Sequence, residues 1–288
     1  MENNSKEQGA LAEVLVREAR KPVTLDTALP KVDDRKVTYA IPPGYTTHVV
    51  DTENLLDNPR RKRGTAQLQD MPSFLAFVER HKSNDTVAWA GFDIDQSKLS
   101  IQAVMDDHGT KEAGWRGFRA VYAPSLSVEW ERWKAMNEKP MSQLDFALFI
   151  ERNQDDITGG DGFPSSLDML KMATEFEASA DMRLKTHTRL QSGGIKLEYV
   201  DQEKDETIQR MTVFEKFAIG VPVFRNATAW KIEARLRYRV REGKVTFSYE
   251  LLRADKTVEQ AGNELIEQAR VGLGTVPLLT GTFAQANS

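Results

Sequence analysis

Three aspartates and a histidine lie at the ends of two neighbouring predicted strands, and residues of these types bind divalent metals. Asp93 and Asp95 end one predicted strand, and Asp106 and His108 follow the next. Carboxylate and imidazole groups are suitable ligands for Mg²⁺ or Mn²⁺. Turn chemistry is the alternative, because strands commonly end in Asp, Asn and Gly. We favour the turn interpretation and expect no metal and no cofactor, while a metal-dependent enzyme stays open as an alternative.

Charged residues recur at every second position of the run 229–241, between Trp230, Leu236 and Tyr238, and all of them except Glu233 are basic. Because side chains alternate across a strand, this spacing predicts an apolar face and a basic face. The run 182–191 repeats the pattern. The residues predicted to form the basic sheet face are Arg183, Lys185, Arg189, Lys231, Arg235, Arg237, Arg239 and Arg241.

Two interpretations of this basic face compete. An antiparallel sheet can expose one face to water, where Glu198 and Glu250 would pair with the cations. Alternatively, arginines spaced by two residues bind phosphates or an acidic partner. Residues 181–253 carry a net charge of +5, whereas the whole chain carries −4, so the charge is polarised along the sequence.

A second basic site precedes a glycine in the run "NPRRKRG". It consists of Arg60, Arg61, Lys62 and Arg63. A solvated loop is one interpretation, and contact with phosphate or an acidic partner is the other, since an arginine fork binds phosphate with two hydrogen bonds.

Composition excludes several classes of function. The chain has no cysteine, which excludes thiol catalysis and disulfides and fits the reducing cytoplasm. No apolar run approaches the roughly 20 residues that span a bilayer, and the amino terminus does not resemble a secretory signal. No motif for nucleotide binding, for a nucleophilic serine or for zinc hydrolysis occurs. Enzymatic activity is therefore uncertain, and a non-enzymatic role is favoured.

The elements that must position these residues indicate an α+β fold with antiparallel sheets and a central layer of short helices. We predict an α+β region over 1–125, a helical connector over 126–180, and an antiparallel sheet with a closing helix over 181–288. The connector contains Trp130 and Trp133, one helical turn apart, which we interpret as core or interface anchors. Its helix 143–153 is expected to turn Leu144, Ala147 and Leu148 inward, with Phe146 and Ile150 as further candidates. Ser165 is expected to cap a third helix, in which apolar residues alternate with charged ones: Leu167, Leu170 and Phe176 with Asp168, Lys171 and Glu175.

Three segments carry a resemblance to a known family. They are "RKRGTAQLQDMPSFLAFVERHK", "GWRGFRAVYAPSLSVEWERWKAMNEKPMSQLDFALFIERNQDDI" and "IGVPVFRNATAWKIEARLRYRVREGKVTFSYELLR". They resemble the YfdQ-like family of phages and prophages, a domain of unknown function. The resemblance implies a phage-encoded protein in the bacterial cytoplasm, and it supplies no catalytic residue.

These observations favour a non-enzymatic binding protein that engages nucleic acid or an acidic host protein through the basic sheet face. A self-assembling homo-oligomer is the second hypothesis, and a metal-dependent enzyme that uses the acidic cluster is the third. No membrane partner is expected.

Overall fold

The structure is a computed structural model that describes residues 56–175, 183–189, 194–200, 208–241 and 244–283, and the short pieces 13–14, 16–19, 21, 23–24 and 39–40. For 183–189, 194–200 and 208–212 it describes only the backbone. The chain divides into two compact units, Met1–Arg61 and Lys62–Ser288. In the first unit, residues 16–19 are helical, and β1 (Val23–Thr24) pairs antiparallel with β2 (Tyr39–Ala40).

The second unit begins with a five-stranded mixed sheet of order β14-β4-β5-β6-β3. β4–β5 and β5–β6 pair antiparallel, whereas β3 runs parallel to β6 and β14 parallel to β4. The α+β fold class is confirmed, but this sheet is mixed rather than antiparallel, because two short strands far apart in sequence join its edges. Its strands are β3 (Gly64–Leu68), β4 (Val87–Asp93), β5 (Lys98–Val104), β6 (Phe118–Tyr122) and β14 (Leu278–Thr280).

Two helices, α1 (Met71–His81) and α5 (Ala254–Leu273), contribute to the core beside this sheet. Asp70 caps α1 by accepting a 2.7 Å hydrogen bond from the Ser73 N–H, as its position before Pro72 predicts. A Cβ at Gly262 in α5 would collide with the Phe92 ring of β4, so glycine allows the helix to approach the strand closely.

The carboxy-terminal half contains two further antiparallel sheets. One has the order β11-β12-β13-β7 and the other the order β10-β9-β8. We had expected the hairpins at 182–200 and 229–252 to share one sheet, and this expectation was wrong. The run 208–222 divides at Glu215: its first part pairs with β9 and its second part with β12. The strands are β7 (Met141–Ser142), β8 (Arg183–Arg189), β9 (Gly194–Val200), β10 (Ile208–Phe214), β11 (Lys216–Pro222), β12 (Ala229–Arg241) and β13 (Lys244–Leu251).

Short helices pack on the four-stranded sheet. They are α2 (Val128–Met136), α3 (Gln143–Arg152), a 3-10 turn (Gln154–Asp156) and α4 (Ser166–Glu175). Ser127 and Ser142 cap α2 and α3, as the sequence predicts. The Phe146 ring of α3 stacks on Phe247 of β13 with centroids 4.8 Å apart. Leu144, which was expected to point inward, is 68% exposed, because Phe146, Ala147 and Ile150 form the buried face of α3.

Trp130 and Trp133 are fully buried. The Trp133 ring makes edge contacts with Tyr249 of β13, and the Tyr249 hydroxyl donates a 2.6 Å hydrogen bond to the Trp133 carbonyl oxygen. Trp133 Nε1 donates to Asp156 Oδ2 at 2.8 Å. One hydrophobic core extends from Phe74 to Val276 and takes residues from all three predicted regions, whose boundaries stay a prediction. In the described ranges, no helix combines the length and the hydropathy that a bilayer crossing requires.

Replacing Leu236 with Asp tests the facing of β12. The Leu236 side chain is 5% exposed, so the new carboxylate would be buried without a partner, and we expect the melting temperature to fall by roughly 10 °C. Tyr238→Asp is the matched control, because Tyr238 is 41% exposed on the same strand. Equal melting temperatures for Leu236→Asp and the parent would contradict the assigned facing.

Asp156 provides a pH-dependent test of the connector. Burial raises the pKa of its carboxyl above the ordinary value of 3.8, and the Trp133 hydrogen bond opposes this shift only in part. Above pH 3.8 the unfolded state therefore releases this proton more readily than the folded state, which lowers the free energy of unfolding as pH rises. Asp156→Asn should stabilise the protein at pH 7 and lose this advantage below pH 3.8, measured by urea unfolding. Asp155→Asn, at the exposed neighbouring position, is the control. An equal gain in the free energy of unfolding from Asp155→Asn would contradict the explanation.

Candidate functional site

The outward face of β12 carries the basic residues predicted from its alternation. Arg235, Arg237 and Arg239 are exposed, whereas Ala234 and Leu236 between them are buried. β11 ends its pairing at Lys216, opposite Arg235, so the last part of β12 extends beyond that strand. This extension explains why Tyr238 is exposed, although the alternation predicted it to be buried. Trp230, at the other end of β12, was also predicted to be buried and is half-buried.

At its amino-terminal half, the basic face is neutralised one to one. Lys216 Nζ lies 3.2 Å from Glu233 Oε2 on the neighbouring strand. Lys231 Nζ lies 3.1 Å from Asp161 Oδ2 and 4.8 Å from the centre of the Phe163 ring, in the loop before α4. This half fits the interpretation of a solvated, ion-paired sheet surface.

The carboxy-terminal half differs, and we call it the basic end: Arg235, Arg237, Arg239, Arg241 and Lys244. One oxygen, Glu250 Oε2, lies 3.3 Å from Arg235 Nη1 and 2.6 Å from Arg237 Nη2. A single carboxylate balances only one of these two cations. Arg239 is paired across the sheet with Thr246, and Arg241 with Lys244, a like charge. The cross-strand neighbours of Arg239 and Arg241 therefore carry no negative charge.

Hydroxyl groups accompany the arginines of the basic end. Ser248 is the cross-strand neighbour of Arg237, and Thr246 that of Arg239. These four residues also line a cleft of about 680 Å³, with Glu138 and Glu215 among its other walls. Sequence reasoning missed Lys244, Thr246 and Ser248. The two-residue turn after Arg241 is the signal that could have found them, because it fixes the register of β13.

The other predicted members of the basic face lie in a different sheet. Arg183, Lys185 and Arg189 belong to β8, which pairs with β9 and not with β12 or β13. The register of β8 shifts between Leu184 and Thr186, which interrupts the period of two on which the prediction depends. The side chains of β8 lie outside the described residues. The predicted single face is therefore divided between two sheets.

The basic run before β3 is exposed throughout: Arg60, Arg61, Lys62 and Arg63. The boundary between the two units falls within this run, between Arg61 and Lys62. Lys62 Nζ lies 3.3 Å from His81 Nδ1 at the end of α1. Desolvation, followed by the charges of Lys62 and Arg80, lowers the pKa of His81 below its ordinary value.

The structure does not bring the acidic metal candidates together. Asp93 is paired with Lys98 at the turn of the β4–β5 hairpin, whereas Asp106 follows Val104 at the opposite end. Seven strand residues separate the two ends, about 20 Å at 3.3 Å per residue. In a hairpin, the end of the first strand adjoins the start of the second, so Asp93 and Asp95 cannot share a site with Asp106 and His108.

Loop hydrogen bonds account for the acidic groups at both ends. Asp93 Oδ1 accepts from the Gln96 N–H at 2.9 Å and closes the hairpin turn. Asp106 accepts from the N–H groups of Gly117 and Phe118 at 3.0 and 2.9 Å. His108 Nδ1 accepts from the Gly114 N–H at 2.9 Å. Within the described part of the chain, no three acidic or histidine side chains form a group that suits a metal ion.

Comparison with known proteins places the chain in one family. The sequence profile of DUF2303, described as an uncharacterized conserved protein, matches residues 6–283. No curated protein and no solved structure matches the chain. Since the profile covers nearly all of the 288 residues, the chain belongs to the DUF2303 family of uncharacterized conserved proteins.

Proposed function

We propose that this protein is a non-enzymatic binding protein that engages the phosphate backbone of nucleic acid through the basic end. The observation that carries the proposal is the shared oxygen of Glu250, which leaves Arg235 and Arg237 with more positive than negative charge. Arg239 and Lys244, both exposed, add to this excess. A structure that needed only a solvated sheet surface would be served by the one-to-one pairing seen around Glu233.

The spacing and chemistry of the basic end suit a phosphate chain. Alternate residues on one face of a strand lie about 6.6 to 6.8 Å apart, a distance comparable to that between neighbouring phosphates of an extended single strand. Arginine forks bind phosphate oxygens with two hydrogen bonds, and a hydroxyl group such as that of Ser248 adds a neutral donor. Such contacts position the backbone and carry no sequence preference.

The setting of this activity follows from the resemblance to phage proteins. We infer a phage- or prophage-encoded protein that acts in the bacterial cytoplasm, which the absence of cysteine also supports. An acidic surface of a host protein would be recognised by the same arginines. Nucleic acid is favoured over it because regularly spaced cations match a regularly spaced polyanion.

Charge reversal at the basic end tests the proposal. Arg237→Glu combined with Arg239→Glu should weaken binding of a fluorescent 20-nucleotide single strand at low salt by at least about tenfold, since two phosphate contacts become repulsive. Fluorescence anisotropy measures the affinity. The melting temperature should stay within a few degrees, because exposed charge changes cost under about 0.5 kcal/mol each.

The matched control reverses the paired half of the same face. Lys216→Glu combined with Lys231→Glu changes the net charge by the same amount and should weaken binding less than the first variant does. Equal losses for the two variants would show that total charge, rather than the basic end, determines binding. Undetectable binding by the unmodified protein at low salt would refute the nucleic-acid function.

Self-association is a second candidate, favoured by exposed leucines on adjacent helices. Leu144 of α3 is 68% exposed and Leu167 of α4 is 71% exposed. Leu148, one turn after Leu144, is also exposed. Large apolar side chains left exposed on neighbouring helices are candidates for a site where proteins associate. A second copy of this chain is the partner that the hypothesis names.

Replacing Leu144 and Leu167 with Asp tests self-association. If these leucines form an interface between copies, the mass from light scattering should fall from a multiple of 32.5 kDa to 32.5 kDa. Leu279→Asp, on the exposed side of β14, is the control and should leave the mass unchanged. A monomeric mass for the unmodified protein at high concentration would reject this candidate.

A further inference from the structure

The five-stranded sheet has a second face, opposite the buried one that carries Ala90 and Ile101. Trp89, Gln102 and Val121 lie side by side on this second face, because the register pairs Trp89 with Gln102 and Gln102 with Val121. All three side chains are half-buried, and Ser100 on the same face is exposed. This face is therefore partly open.

The end of the described chain crosses this face. After β14, the chain turns at Gly281, whose φ is +148° and whose N–H donates a 2.8 Å hydrogen bond to the Ala90 carbonyl oxygen. A Cβ on Gly91 would lie 3.2 Å from the Thr282 side chain, so the segment passes directly over β4. Phe283 follows, with its ring centroid 6.0 Å from that of Trp89.

Two guanidinium groups complete the surroundings of the Phe283 ring. Arg116 Cζ lies 4.6 Å and Arg119 Cζ 5.0 Å from its centre. Both arginines are fixed in place: Arg116 Nε donates to the buried Asp107 carboxylate, and Arg119 Nε donates to the Arg116 carbonyl oxygen at 2.8 Å. The site thus offers one indole and two oriented cations to a planar ring.

Two further basic residues lie at the start of β3, at the same end of the sheet as this site. The Gly64 N–H donates a 2.8 Å hydrogen bond to the Gly117 carbonyl oxygen, and Thr65 is paired with Arg119. Lys62 and Arg63, both exposed, immediately precede Gly64 and so lie at the same end of the sheet as Arg116. A ligand that presents a flat ring and a phosphate would match this combination of groups.

We propose that Trp89, Arg116 and Arg119 form a stacking site for an unpaired base of single-stranded nucleic acid, and that Phe283 occupies it in the absence of that ligand. Stacking on aromatic side chains and on arginine is how proteins hold single strands without a sequence preference. The inference rests on the proposed function for the class of ligand. It assigns a second site, which contacts bases rather than phosphates.

Two single strands of twelve nucleotide units distinguish base stacking from phosphate contacts. One is an oligothymidylate, and the other is an abasic strand with the same number of phosphates. Phe283→Ala should strengthen binding of oligothymidylate by roughly tenfold, the effect of one base–aromatic stack, and leave the abasic strand unchanged. Adding Arg119→Gln to Phe283→Ala should reverse this gain. Thr280→Ala, in the same terminal segment but paired with Ala90 on the opposite face of the sheet, is the control and should change neither affinity. Fluorescence anisotropy provides all of these values.

The outcomes distinguish this inference from the proposed function. An unchanged ratio of the two affinities in Phe283→Ala overturns the stacking site, even if charge reversal at Arg237 and Arg239 weakens both oligomers as the proposed function requires. A gain for oligothymidylate in Phe283→Ala, together with no effect of that charge reversal, supports the stacking site and rejects the basic end. Equal gains for both oligomers would show that Phe283 only blocks phosphate contacts, and would also overturn the inference.

Discussion

The alternation of side chains along β12 is the constraint on which the rest of the carboxy-terminal half depends. Ile232, Ala234 and Leu236 are buried in the core, whereas Arg235 and Arg237 on the opposite face are exposed. A shift of the register by one residue would bury the arginines and expose the apolar set, so the basic face and the core specify the same pairing. The surface that we propose to bind phosphate is therefore a direct consequence of how this strand folds.

Contacts between the rings of Trp133, Phe149 and Tyr249 pack the β12–β13 strand pair against the short helices. Tyr249 of β13 contacts the Trp133 ring and donates a hydrogen bond to its backbone, while Asp156 accepts from its indole. Burial raises the pKa of the Tyr249 hydroxyl far above its ordinary range, so it remains a donor at all physiological pH values. The connector is thus a structural element that fixes β13, and through β13 the positions of Thr246, Ser248 and Glu250 beside the arginines.

Features of the fold that depend on neighbouring residues could be predicted from the sequence. Features that depend on pairing between distant strands could not. The caps at Asp70, Ser127 and Ser142 and the alternation in 229–241 depend on neighbouring residues, and the structure confirms the caps and, over 231–237, the alternation. The division of 208–222 between two sheets at Glu215 depends on distant partners, as do the parallel strands β3 and β14. The sharing of Glu250 by two arginines also required the register of β13, although Glu250 itself was predicted as a partner.

The salt dependence of nucleic-acid binding tests the central claim most directly. Each phosphate neutralised on a single strand contributes about −0.7 to the slope of log affinity against log salt concentration. Engagement of three to four phosphates by the basic end predicts a slope of about −2 to −3 for the unmodified protein. Arg237→Gln with Arg239→Gln should reduce its magnitude by about 1.4. A slope that these two substitutions leave unchanged, or no binding at any salt concentration, would contradict the account.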